Sequence, residues 1–307
     1  MGGSHKTDDA ISHLFITDTH ADVLFFTSLG RVFQLKAHEL PEFSRSARGQ
    51  ALVNFLNLGS EEKISAIISL SSGEMPEYFF FVTKKGIVKK TERKAFDTVR
   101  KSGLIAIRLK KDDELCWVKG TFGKDQVILV SAAGQAIRFK ENEIRPMGRP
   151  AAGIRGMRLK GEDRIVGINI IEENESSDIL LAVSENGIGK FSKLTDYREQ
   201  KRGGSGIRTM RVTGKTGPLA MAELVSPEIR KNNDLIVTSL EGQVIRTPMK
   251  SVPVLGRNTQ GVKIIRLNTG DKVASGDVIE EQQKENDNGE KNKVNNGANI
   301  SSDKIKN

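Results

Sequence analysis

Five times along this chain a run of β-branched and aromatic residues ends in a glycine turn and resumes as a second strand-like run: Val23–Val32, Phe79–Val88, Val127–Ala136, Ile179–Ile188 and Leu235–Val244. The turn glycines stand at 30, 86, 134, 187 and 242, so the gaps are 56, 48, 53 and 55 residues. A period of this size points to a repeat architecture in which each unit covers its neighbour's apolar face. Runs of four to six such residues favour strands. The glycine supplies the positive φ of a tight hairpin. The runs are almost continuously apolar, as expected of strands buried on both faces between blades.

Each hairpin is followed by a loop ending in another strand. Arg48–Leu56 closes the first unit, Lys101–Leu109 the second, Arg149–Met157 the third, Arg202–Met210 the fourth and Arg257–Ile265 the fifth. A further strand then leads on: Ile64–Leu70, Leu115–Val118, Ile165–Ile171, Leu219–Val225 and Val273–Ile279. Four strands per unit make a blade, so the predicted fold is all-β, a propeller-like disc of about five visible four-stranded blades over residues 11–279. Helical periodicity is nearly absent; loops such as Ser226–Lys231 have room for a turn of helix. Residues 1–10 are expected to be loose. Residues 280–307, rich in Asn, Glu, Lys, Gly and Ser, bury too little to offset their ordering entropy and are predicted to be disordered.

The formal net charge of +9 is carried by the repeats, because residues 280–307 hold six acids and five bases and leave +10 for residues 1–279. Such a balance points to a polyanionic partner, nucleic acid or an anionic membrane face. No stretch approaches the ~18 apolar residues of a membrane helix, and the start is no signal peptide, which makes the cytoplasm the default. The single cysteine, Cys116, excludes a disulfide or thiolate zinc site within one chain and reads as a small core residue. His5, His13, His20 and His38 lack metal-ligand spacing, and no phosphate loop ending Gly-Lys-Ser/Thr is present. No catalytic residue, metal or cofactor is predicted.

Three loops carry a resemblance. Ser46-Ala47-Arg48-Gly49-Gln50-Ala51-Leu52-Val53-Asn54, Gln200-Lys201-Arg202-Gly203-Gly204-Ser205-Gly206 and Gly256-Arg257-Asn258-Thr259-Gln260-Gly261-Val262 resemble the blade loops of the carboxy-terminal domain of DNA gyrase A, over about residues 11–279. The resemblance implies a six-bladed β-pinwheel whose basic rim wraps duplex DNA and so serves negative supercoiling. It implies as partners the rest of gyrase A and the ATPase-bearing gyrase B, together with a nucleoid-associated location. The tyrosine nucleophile, magnesium site and ATPase would lie elsewhere; Tyr78 and Tyr197 stand outside the family's nucleophile context, and Tyr197 reads as packing or at most a sugar or phosphate contact. The family's heptapeptide, Gln-Arg-Arg-Gly-Gly-Lys-Gly, belongs in the first blade, whereas the nearest match here, Gln200–Gly206, lies in the fourth visible unit. Gly2-Gly3-Ser4-His5-Lys6 reads as the trailing end of the first-blade copy. The expectation is therefore a fragment of five blades plus a stub, Ile11–Thr19, forming an open C-shaped disc or self-associating weakly, and bending DNA poorly. A topoisomerase IV-like domain and a protein-interaction propeller are the alternatives.

A wrapping surface needs positive charge on one edge of every blade and no base-reading element. The second hairpin supplies Lys84, Lys85, Lys89, Lys90, Arg93 and Lys94, and the first four, flanking a turn, are expected to point to solvent. The other hairpins supply Arg31 and Lys36, Arg138 and Lys140, Lys190 and Lys193, and Arg246 and Lys250. The loops add Arg45, Arg48, Arg100, Lys101, Arg149, Arg198, Lys201, Arg202 and Arg257. Gly203, Gly204 and Gly206 let backbone amides approach a phosphate. Each lysine alone could equally be a solubilising or edge-protecting residue.

Overall fold

In the first four repeats the apolar runs lack polar alternation because their leading strands are covered on both sides. In the fifth only Leu235 and Val237 of the run's apolar side chains are fully buried, and Val244 is exposed. The computed structural model describes residues 17–43, 49–71, 75–99, 102–172 and 178–279. The first repeat gives β1 (Asp22–Thr27), β2 (Arg31–Lys36) and β3 (Ile64–Leu70). The second gives β4 (Tyr78–Thr83), β5 (Ile87–Glu92), β6 (Leu104–Ile105) and β7 (Leu115–Thr121). The third gives β8 (Gln126–Ser131), β9 (Gln135–Lys140), β10 (Ile154–Arg155) and β11 (Ile165–Ile171). The fourth gives β12 (Ile179–Ser184), β13 (Ile188–Lys193), β14 (Ile207–Arg208) and β15 (Leu219–Val225). The fifth gives β16 (Asp234–Ser239), β17 (Val244–Pro248), β18 (Val262–Lys263) and β19 (Val273–Ile279). One short helix, α1 (Pro227–Asn232), fills the loop after β15, with the Ser226 hydroxyl accepting from the Ile229 amide. It meets the expectation for that loop.

These strands make five antiparallel blades of a β-propeller. In each, the first hairpin strand pairs inward with the long strand that leads to the next repeat, and this pairing carries one register shift at the same place, Phe26/Thr27 in the first blade and Thr238/Ser239 in the last. The outermost strand is exchanged: β6 pairs with β2, β10 with β5, β14 with β9 and β18 with β13. The short closing strands thus belong to the blade before the one to which the sequence reading assigned them. Two consequences correct that reading. The fifth sheet has three strands, β17-β16-β19, because no later repeat lends it a fourth among the described residues. The closing segment of the first repeat is no strand but a 3-10 turn, Leu52–Asn54, because no earlier described hairpin edge receives it.

The turn glycine joins one repeat to the next. The Gly30 carbonyl accepts from the amides of Ala106 (2.8 Å) and Ile107 (3.0 Å), and Gly86, Gly134 and Gly187 accept the same way from the repeat that follows them. A Cβ on Gly134 would lie 2.5 Å from the Met210 carbonyl oxygen, so the residue must be glycine for its φ of +75° and for the close approach alike. The apolar core follows the same connectivity. Leu24 and Phe26 pack with Phe79, Phe81 and Phe96 between the first two blades. Phe80 and Val82 meet Val127, Leu129 and Phe139 between the second and third. Tyr197 joins Ile128, Val130 and Leu180 between the third and fourth, and Phe191 meets Leu235 and Val237 between the fourth and fifth. Phe26 touches Phe79 and Phe81 edge-on, with centroids 5.7 and 5.6 Å apart. Each such buried side chain contributes about 1.5–3 kcal/mol. Val23, Phe25, Phe33 and Leu35, on the other face of the first blade, are covered by Leu56 and its neighbours. The expectations for residues 1–10, 280–307 and most of the Ile11–Thr19 stub lie outside the described residues.

Candidate nucleic-acid interface

The inner strands β3, β7, β11, β15 and β19 stand next to one another around the axis, and the exchanged strands form the outer edges. Charge follows this division. A cavity of about 250 Å³ along the inner strands is lined by Asp125, Glu172, Asp178 and Glu223, with Lys119 beside them. Burial holds the Glu223 carboxyl up at about 7. The outer side is basic. A cleft of about 690 Å³ between the second and third repeats is lined by Lys84, Lys85, Lys110, Arg155, Arg158 and Arg164, with Asp112, Asp113, Glu162 and Asp163 among them.

The cationic residues expected from the sequence fall into three groups. Lys94, Lys193, Arg198, Lys201 and Lys250 are exposed and have no ion pair to a described residue. Lys85 is exposed beside them and reaches the Lys111 carbonyl. A second group is engaged at the surface. Lys36 pairs with Asp22 (2.8 Å), Lys84 with Glu114 (3.1 Å), Arg93 with Asp97 (2.7 Å), Lys140 with Glu199 (3.7 Å) and Arg246 with Asp234. Arg31 is half-buried against Glu62 at 2.9 Å, and Arg138 reaches the carbonyls of Leu194 and Tyr197. Arg202 binds the Glu143 and Arg155 carbonyls, and Arg257 donates to the Arg208 carbonyl at 2.6 Å. The exposed ion pairs among these, those of Lys36, Lys84, Arg93, Lys140 and Arg246, are worth about 0–1 kcal/mol and exchange readily for another anion. Arg45, Arg48, Arg100 and Lys101 lie outside the described residues.

The third group corrects the sequence reading: Lys89, Lys90 and Lys190 do not point to solvent but are buried. In β5 both faces are covered, so successive side chains go inward alternately. The Lys90 ammonium lies 3.2 Å from the Glu141 carboxylate and 4.7 Å from the centre of the Tyr78 ring. The Lys89 Nζ donates to the carbonyls of Ala106 (2.5 Å), Arg149 (2.6 Å) and Gly148 (3.2 Å). Burial, with the Arg149 guanidinium adding to it, pulls that ammonium down to about 7. Lys190 donates to the carbonyls of Gly256 and Arg257 (both 2.7 Å) and to the Thr259 hydroxyl (3.1 Å), and burial with Arg257 pulls it down to about 8.

The structure also brings forward a row the sequence reading missed. Arg108, Arg158, Arg211 and Arg266 stand at one position, three residues beyond the end of β6, β10, β14 and β18, and all four are exposed. The amides of Arg108, Arg158 and Arg211 are held by carbonyls of the next repeat's loop, Ala151, Gly204 and Thr259. At the end of the exchanged strand itself Arg155, Arg208 and Lys263 are exposed as well. The Ile-Arg-x-x-Arg of Ile154–Arg158 and Ile207–Arg211 was the available signal, but extending it to Arg108 and Arg266, where the motif is not kept, requires knowing that the closing strands are equivalent. In the Gln200–Gly206 loop, Gly203 and Gly206 have φ of +80° and +74°. A Cβ on Gly206 would meet the Ala136 carbonyl oxygen at 2.4 Å, while Gly204 is less crowded. The Gly203 and Gly206 glycines therefore serve blade closure as well as any anion. Tyr197 is packing: its hydroxyl is buried against that of Thr209 at 2.5 Å, and burial raises its phenol above the usual range. Cys116 is partly covered, with its thiol pushed up to about 12 by burial and by Glu114.

Among the described residues no group of three or more His, Cys, Asp or Glu side chains is placed to hold a metal, and no helix is long and apolar enough to cross a membrane. The family model described as the DNA gyrase C-terminal domain, beta-propeller, matches residues 21–71, 77–118, 125–172, 178–217 and 233–280, one copy per blade. The DNA gyrase A protein of Ureaplasma parvum is 39% identical over 268 residues, covering 87% of this chain and 31% of the relative. That of Staphylococcus epidermidis is 38% identical over 283 residues, covering 92% and 31%. The chain thus spans about a third of the length of these relatives. Among solved structures, the C-terminal domain of DNA topoisomerase IV aligns with a TM-score of 0.78 at 27% identity, covering 85% of this chain and 80% of that one. The DNA gyrase A C-terminal domain aligns with 0.69 at 26%, covering 85% and 83%. With one match in each of the five blades, together covering well over half of its length, the chain belongs to the family of DNA gyrase C-terminal, beta-propeller domains.

Proposed function

We propose that this domain binds duplex DNA without sequence preference and wraps it along the outer, basic edge of the blades, and that it serves negative supercoiling as a non-catalytic part of gyrase, alongside the rest of gyrase A and the ATPase-bearing gyrase B. The observation that carries this reading is the recurrence of exposed cations at one structural position in four successive repeats, Arg108, Arg158, Arg211 and Arg266, in addition to the exposed Lys85, Lys94, Lys193, Lys201 and Lys250. DNA offers phosphates at regular intervals, and a protein that places one cation per repeat along a curved edge gains affinity by releasing counterions. Among the described residues no helix is built to enter a groove, α1 being six residues long, so the contacts position the duplex rather than read it. Family membership and the likeness to two type IIA topoisomerase domains support the same reading. A protein-interaction propeller would instead display exposed aromatics on one face. Here the described rings lie mainly between blades, and among the described residues Phe43 is the one aromatic in the exposed large hydrophobic set.

The test is a filter-binding titration with a random-sequence duplex over a range of salt. With six or more phosphates engaged, affinity falls by roughly 10³ or more between 50 and 200 mM salt, and scrambled competitors compete equally. A flat salt response or preference for one sequence refutes the proposal. The higher TM-score to the topoisomerase IV domain favours a second reading, a topoisomerase IV-like role. A topological wrapping assay with closed circular DNA separates the two, since only the gyrase reading calls for a constrained wrap.

A further inference from the structure

The third residue after the turn glycine points into the loop of the next repeat in every blade where that loop is described. It is Phe33, Lys89, Ile137 and Lys190 in the first four repeats and Ile245 in the fifth. Where it is apolar, a glycine comes down on it: a Cβ on Gly103 would lie 2.7 Å from the Phe33 ring, and one on Gly204 3.5 Å from Ile137. Where it is lysine, the next loop turns backbone carbonyls inward instead. An ammonium has three hydrogens to donate. Lys89 places them on Ala106, Gly148 and Arg149, and Lys190 on Gly256, Arg257 and Thr259. Neither keeps a donor for a phosphate. The two modes alternate around the disc: apolar, cationic, apolar, cationic.

Each carbonyl set belongs to a loop that carries an arginine. The Arg149 carbonyl is on Lys89 while its Nη1 is buried without a hydrogen-bond partner. The Arg257 carbonyl is on Lys190 while its guanidinium reaches the Arg208 carbonyl and lies 6.0 Å from the centre of the Tyr197 ring. Lys89 also holds Ala106, just past the strand that the second repeat lends to the first. One ammonium therefore ties the lent strand of its own repeat to the closing loop of the next.

We propose that Lys89 and Lys190 are positioning residues that never touch DNA: each fastens the following repeat's loop by its carbonyls and so sets Arg149 and Arg257 at the phosphate-binding edge. This rests on the DNA-binding reading above for the role of the two arginines, whereas the fastening itself is read without DNA.

Two measurements on the whole chain test it. Lysine acylation read by mass spectrometry, on the wild type with and without a duplex, labels Lys84 and Lys85 in the free protein and leaves Lys89 and Lys190 unlabelled in both states. Labelling of Lys89 or Lys190 in the free protein that DNA then suppresses makes them direct ligands and overturns the proposal, and this arm needs no variant to fold. In Lys89→Met and Lys190→Met, amide exchange at 148–152 and 256–261 respectively rises tenfold or more while the β8–β9 and β16–β17 hairpins keep their protection. Trypsin then cuts Lys190→Met after Arg257. The salt slope of DNA binding falls by about one in each variant, one arginine contact having been lost. Unchanged loop exchange in both variants overturns the proposal. Failure of the wild type to bind DNA would instead sink the functional reading, leaving the exchange and labelling results to decide the fastening.

Discussion

Replacing the third turn glycine, Gly134→Ala, isolates what holds one blade to the next. Gly134 has φ of +75°, and an alanine there costs about 1–2 kcal/mol in backbone strain. The new methyl carbon would also stand 2.5 Å from the Met210 carbonyl oxygen and 2.9 Å from Val212. Backbone cannot yield as a side-chain end can, so the next repeat must move away. It then weakens the two hydrogen bonds that the Gly134 carbonyl receives, from Thr209 at 2.8 Å and Met210 at 3.3 Å. At about 1 kcal/mol each, these bring the total to about 3–4 kcal/mol. Gly270→Ala is the control. Its φ is +88°, but nothing lies within 4 Å of the added carbon, so only the strain remains, about 1–2 kcal/mol. The unfolded chain loses the same entropy in both variants and cancels. Urea denaturation followed by fluorescence of Trp117 and by circular dichroism measures the two losses. Gly134→Ala should exceed Gly270→Ala by about 2 kcal/mol. Equal losses would show that the inter-repeat carbonyl contact contributes nothing and refute the account of blade coupling.

Lys90→Ala leaves the Glu141 carboxylate buried and should destabilise by about 3–5 kcal/mol, whereas Lys90→Met with Glu141→Leu should cost much less; equal losses in a denaturation series would remove the buried pair. Because the ammonium groups of Lys89 and Lys190 are pulled down to about 7 and about 8, the folded chain binds fewer protons than the unfolded one above those values. Stability should therefore rise from pH 7 to 9, by up to about 1.4 kcal/mol per pH unit for each lysine once its folded value is passed, and Lys89→Met and Lys190→Met should flatten the urea-midpoint profile. The Cys116 thiol, held up at about 12, should react with a disulfide reagent at pH 8 far more slowly than a free thiol does, and rapid stoichiometric release of the chromophore would contradict its placement. Lys84→Glu with Lys85→Glu should lower DNA affinity and leave the melting temperature within about 2 °C, since surface substitutions change stability by about 0.5 kcal/mol or less; unchanged affinity by filter binding would take that turn off the proposed edge.

Local chemistry wrote the strands into the sequence. A glycine with positive φ between two β-branched runs can be little other than a hairpin, and four of the five long connecting strands begin and end where their apolar runs do, Ile165–Ile171 among them. Five repeats and an all-β propeller followed, because units so thin and so apolar must cover one another. The sequence could not tell which blade receives each closing strand. Leu104–Ile105 and Ile154–Arg155 are two residues long, and pairing across repeats is a non-local choice made by the edge that stands free. The same blindness governed the lysines. Lys84 and Lys89 lie on one hairpin, yet one meets solvent and Glu114 while the other meets three carbonyls, one of its own repeat and two of the next. Charge and spacing decide that a surface is basic; only the packing of neighbouring repeats decides which cations reach it, because burial depends on what the next blade lays over each strand.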